Sequence, residues 1–93
     1  MAIESFSHKG LKRFFDTGTK AGIQPKHAVR LGRILDRLDS ALAVEDMDFP
    51  GSDFHQLSGK LRDFYSVHVN GNYCVYFKFK NGNAYEVSYE DYH

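Results

Sequence analysis

The hydrophobic period of this chain changes once, at DFPGS, residues 48–52. Before it, Ala28, Leu31, Leu35, Leu38 and Leu42, joined by Ile34 and Ala41, recur at spacings of three and four, as on the buried stripe of a helix. After it, FHQL, FYSVHV, YCVYFKF and AYEVSY alternate with period 2 and are rich in β-branched and aromatic residues, which predicts strands with one buried face. Helices first and a run of strands afterwards predict an α+β fold. In it, two N-terminal helices pack on one face of an antiparallel β-sheet whose other face stays partly open.

Local signals refine this outline. Ile3 to Phe6 can serve as an edge strand, and LKRFFDTG reads as a short helix ended by Gly18. Pro25 suits a first helical position, so the long helix is expected from Pro25 to about Val44. The strands are separated by SGKLRD and by two NGN turns, of which FKNGNAY is the stronger hairpin signal, because Asn and Gly tolerate the positive φ of a tight turn. On YCVYFKF, Tyr73, Val75, Phe77 and Phe79 are the core set, leaving Cys74, Tyr76, Lys78 and Lys80 on the open side.

With 93 residues, 42% of them hydrophobic, the chain has material for a single core, and one domain over residues 1–93 is expected. There is no apolar run of membrane-spanning length and the opening MAIESFSHKG is polar, so a cytoplasmic protein is expected. Cys74 is the only cysteine, which excludes an internal disulfide, and no paired Cys/His spacing suggests structural zinc; no cofactor or metal is expected. The zero net charge conceals segregation: residues 1–37 carry eight basic against three acidic residues, and residues 38–53 carry five acids and no base. Lys26, Arg30, Arg33 and Arg37 form a row along the long helix, and with Lys9 and Lys12 they offer a cationic surface to a polyanion; the bland reading is a solvated face.

SFSHKGLKRFFDTG, the Leu-rich basic helix, FHQLSGKLRDFYSVHVNGNY and the terminal NGNAYEVSYEDYH together resemble the HigB group of bacterial toxins in the RelE superfamily, over nearly the whole chain. The resemblance implies a ribosome-dependent endoribonuclease that cuts mRNA in the decoding site and is held inactive by a HigA-like helix-turn-helix antitoxin. It carries the family's functional His onto His55 and its terminal acid, aromatic and imidazole onto Asp91, Tyr92 and His93. RNA cleavage without a metal needs a base for the 2′-hydroxyl, an acid for the leaving 5′-oxygen and cations for the phosphate, and these residue types suit those tasks. His55 and His93 are the candidates for base and acid in either order. Tyr92 is the candidate for stacking on a base or donating to the phosphate, and Asp91 for orienting an imidazole or acting as a base itself.

Two positions depart from the family pattern. Ser58 stands where related toxins often carry Lys, so Lys60 or Arg62 would have to substitute through loop geometry; Cys74 stands where they normally carry Arg. A neutral thiol cannot replace the guanidinium's charge and fork of donors, which predicts a weakened enzyme. The competing expectation is a catalytically silent interaction module on the same fold. Cys74 would then be a buried small residue rather than part of a nuclease site.

Overall fold

A computed structural model of the protein describes residues 3–91. Helix α1 spans Lys9–Thr17 and helix α2 spans Ala28–Ser40; strands β1 (His55–Gln56), β2 (Phe64–Asn70), β3 (Tyr73–Lys80) and β4 (Asn83–Asp91) follow. The strands form an antiparallel meander in the order β1-β2-β3-β4, with the helices on one face, so the structure has the expected α+β architecture.

Helix α1 starts on a cap that the sequence does not advertise: the His8 Nδ1 accepts the Leu11 N–H at 3.0 Å. It ends as expected on Gly18, whose φ of 81° lets its N–H turn back to the Phe14 carbonyl at 2.8 Å. Gly10 has a different purpose. A Cβ there would collide with the carbonyl of Gly22, and one on Gly22 with the Gly10 Cα, so the two backbones cross at a point where neither tolerates a side chain.

The long helix is shorter than its periodicity predicts. Pro25–His27 form a 3₁₀ turn before α2, and α2 stops at Ser40 instead of running to Val44. The Asp46 carboxylate accepts the N–H groups of Leu42 at 2.8 Å and Ala43 at 3.2 Å, and a second 3₁₀ turn at Val44–Met47 follows. These side-chain bonds compete with continuation of the helix. Leu42 consequently leaves the apolar stripe and lies exposed, whereas Leu31, Ile34, Leu35 and Leu38 are buried.

The second NGN turn behaves as its residues require, with Asn81 at φ 54° and Gly82 at φ 80°. Val67, Val75, Phe77, Ala84 and Val87 cover the inner sheet face against Leu11 and the α2 stripe. Near Glu86 (φ 52°) the β3–β4 register shifts, which lets Ala84 and Val87 both point inward. The free edge of β4 is covered by the N-terminal segment: Glu4 donates to Ala84 at 2.7 Å and Ser7 to Val87 at 3.0 Å, forming parallel bridges at Ile3 and Phe6. Among the described residues no helix is long and apolar enough to cross a membrane.

Candidate functional site

Strand pairing determines which chemistry meets on the uncovered sheet face. His55 on β1 lies opposite Ser66 on β2, Ser66 opposite Tyr76 on β3, and Tyr76 opposite Ser88 on β4, a continuous row across all four strands. One step along, His68 pairs with Cys74, and Cys74 with Glu90. Because cross-strand partners share a face, these side chains form one polar patch opposite the core.

The patch contains two hollows with a common wall. One, of about 180 Å³, is lined by Asp53, His55, Ser66, His68, Cys74 and Tyr76 among others. The second, of about 320 Å³, is lined by Leu57, Leu61, Phe64, Tyr76, Ser88, Glu90 and Asp91 together with Ser7. Tyr76 belongs to both, so His55 and Asp91 occupy adjoining recesses rather than a single one. Tyr92 and His93 lie outside the described residues.

The hydrogen bonds of His55 define its tautomer. Its Nδ1 is 2.9 Å from the Asp53 carbonyl, which can only accept; the neutral ring therefore carries its proton on Nδ1 and keeps a lone pair on Nε2. The Ser66 hydroxyl lies 3.2 Å from Nε2 and 3.4 Å from Nδ1, nearly equidistant from the two nitrogens, so it packs against the ring and leaves the outward Nε2 lone pair open. Asp53 presents this carbonyl with a left-handed backbone, φ 45°. The preceding turn is anchored by Ser52, fully buried, whose carbonyl accepts the His68 N–H at 2.7 Å.

Cys74 is half-buried, and burial raises its thiol above the ordinary value; a hydrogen bond with Tyr76 works against the shift and the negative charge of Asp53 adds to it. The group is thus a neutral thiol, neither a cation nor an activated nucleophile. Lys60 sits in an exposed 3₁₀ turn, Gly59–Leu61, whose Leu61 lines the larger hollow. Next to it, Arg62 is exposed and its carbonyl accepts a hydrogen bond from the Gln56 side chain.

The cationic row of α2 is divided. Arg30 donates from Nη2 to the carbonyls of Gly51 at 2.8 Å and His68 at 3.3 Å, and Arg37 donates to the Asp46 carbonyl at 2.9 Å while covering the Phe49 ring at 4.8 Å. Both clip the 46–51 loop to the helix. Lys26 and Arg33 are exposed, as is Lys9; Lys12 pairs with Asp16 at 2.6 Å. Sequence reading singled out neither Ser66, His68, Phe64 nor Glu90. Alternation along FYSVHV holds the signal, since it assigns Phe64, Ser66 and His68 to the same open face as Tyr76.

A helical pair packed against an antiparallel meander, with imidazole, hydroxyl and carboxylate groups on the bare face, defines a RelE-like domain. Residues 4–93 match the family model described as the RelE-like toxin of type II toxin-antitoxin system HigB, and the chain belongs to that family. It is 35% identical over 91 residues to the Endoribonuclease HigB of Proteus vulgaris, covering 98% of this chain and 99% of that protein. It is 34% identical over 86 residues to Toxin HigB-1 of Vibrio cholerae serotype O1, covering 90% of each.

Proposed function

We propose that this toxin is a cytoplasmic endoribonuclease that cleaves mRNA in the ribosomal decoding site and is neutralised by a HigA-like helix-turn-helix antitoxin. The observation that carries the reading is the His55 imidazole, held by the Asp53 carbonyl so that Nε2 keeps its lone pair, in a recess that adjoins the hollow lined in part by Asp91 at the end of β4. The named activity of the Proteus vulgaris relative supports it.

In this mechanism His55 removes the 2′-hydroxyl proton. The 2′-oxygen attacks phosphorus, the bond to the 5′-oxygen breaks, and the products are a 2′,3′-cyclic phosphate and a 5′-hydroxyl. The proton for the departing oxygen comes from the terminal run of Asp91, Tyr92 and His93. Leu57, Leu61, Phe64 and Tyr76 give the larger hollow an apolar, aromatic wall suited to a base next to the scissile bond. Lys60 and Arg62, which flank Leu61 of that wall in sequence, supply cations to the substrate, and exposed Lys26, Arg33 and Lys9 dock on ribosomal RNA.

Cys74 weakens this enzyme. It lies on the open face two residues from Tyr76, where a guanidinium would reach a bound phosphate and a neutral thiol does not. Loss of a comparable donor costs roughly 100- to 1000-fold in rate. The test is to map mRNA cleavage ends with and without ribosomes for the natural chain, His55→Gln and Cys74→Arg. Ribosome-dependent ends that vanish with His55→Gln and increase with Cys74→Arg are expected. Unchanged ends in His55→Gln would remove the base assignment, and a chain that cuts in no form, with growth unaffected by its expression, would leave a silent interaction module.

A further inference from the structure

The smaller hollow has no lysine or arginine in its lining, yet under the proposed function it must hold a phosphodiester next to His55. Among the described residues its lining brings together the carboxylate of Asp53, which repels a phosphate, and two imidazoles, those of His55 and His68. His55 lies opposite Ser66, and His68 follows two residues later on β2, so the rings are diagonal neighbours on one face. Such positions are separated by roughly 7–8 Å, a span that a phosphate group hydrogen-bonded at both ends can bridge. The Nε2 of His68 lies 2.9 Å from the Gly71 carbonyl and must donate to it, which leaves Nδ1 as the ring atom available to a ligand. Opposite His68 stands Cys74, too short and too neutral to compete for that ligand.

We infer that His68 contacts the scissile phosphate as an imidazolium, donating from Nδ1, and supplies in this chain the charge stabilisation for which the hollow holds no lysine or arginine. The inference rests on the proposed RNA cleavage and assigns the second imidazole of the same site. His55 takes the proton from the 2′-oxygen, while His68 keeps its own and offsets the charge that grows on the phosphate oxygens.

Single-turnover cleavage of ribosome-bound mRNA by the full chain tests this with five substitutions. His68→Ala should slow cleavage about 10- to 100-fold at saturating substrate with KM within about twofold, as expected for a group acting in the transition state. His68→Gln, which retains a donor for Gly71 but no charge, should be as slow; His68→Arg should recover most of the rate. In the Cys74→Arg background, where a guanidinium enters the same hollow from the paired position, the loss on removing His68 should shrink to about threefold or less. Wild-type rate in either His68→Ala or His68→Gln overturns the inference, the latter reducing His68 to a tie for the turn. A chain that cleaves only after Cys74→Arg also overturns it, while the function stands. Cleavage that is lost in His68→Ala but survives His55→Gln keeps His68 and removes the base assignment. Absence of cleavage in every form overturns both.

Discussion

The His27 imidazole and the Tyr89 phenol share a hydrogen bond beneath the sheet, joining the start of α2 to the end of β4. Both side chains are buried, and Tyr73 packs between them, 4.9 Å from the His27 ring and 5.1 Å from that of Tyr89, with its own hydroxyl accepting from the Gln24 amide at 2.8 Å. Asp91 pairs with Tyr73 two residues beyond Tyr89, so this buried cluster fixes the end of β4.

Stability should depend on pH through His27. Burial holds this imidazole below its ordinary value of 6.5, and the positive charge of Lys26 lowers it further. The unfolded chain therefore binds the proton more readily than the folded one, so stability is complete above about pH 6.5 and declines as pH falls through that value toward the lower folded one. Melting temperatures from pH 7.5 to 5 should drop for the natural chain and drop less for His27→Gln. Parallel curves for the two proteins would dismiss His27 as the source.

Gly10→Ala should destabilise the protein although Gly10 lies in a helix. Alanine ordinarily gains roughly 0.5–1 kcal/mol over glycine at such positions. Here its methyl would meet the backbone of Gly22, and overpacking of this kind costs about 1–3 kcal/mol. Denaturant unfolding should show a lower midpoint; a higher one would mean that the crossing of the two segments relaxes freely.

Arg30 and Arg33, three residues apart on α2, should separate stability from binding. Arg30→Ala removes two hydrogen bonds to backbone carbonyls and should cost about 1–3 kcal/mol in unfolding free energy. Arg33→Glu should leave the melting temperature nearly unchanged and reduce ribosome co-sedimentation, more at low salt than at high. Ribosome binding that is indifferent to Arg33→Glu would take α2 out of the docking surface.

Cys74 should react slowly with thiol reagents. With its thiol raised by burial, the thiolate fraction near pH 7.5 is smaller than that of an exposed cysteine. Labelling by a chromogenic disulfide should be several-fold slower in the native chain than in urea. Faster native labelling would point instead to an activated thiol.

Much of the fold was legible from local patterns. Gly18 ends α1, the Asn81-Gly82 turn joins β3 to β4, and alternation sorted Val75 and Phe77 from Cys74 and Tyr76. Each of these depends on a residue's own backbone preference or on a period set by neighbours in sequence. The end of α2 was not legible, because helical periodicity continues to Leu42 while the Asp46 carboxylate, four residues later, captures the backbone and stops the helix.

The sequence by itself determined the order of elements, the tight turn at Asn81-Gly82 and the inward face of β3, since short-range periodicity and turn chemistry suffice for these, whereas His55 and the terminal acid were reached only through the resemblance to HigB toxins. Only the tertiary structure decided that Tyr76 divides the patch into two hollows, that His68 joins His55 in one of them, and that Arg30 and Arg37 bind the loop instead of remaining free. Those outcomes depend on strand register and on the carbonyls that a folded loop presents, and no charge or spacing along the chain encodes where a distant backbone oxygen will lie.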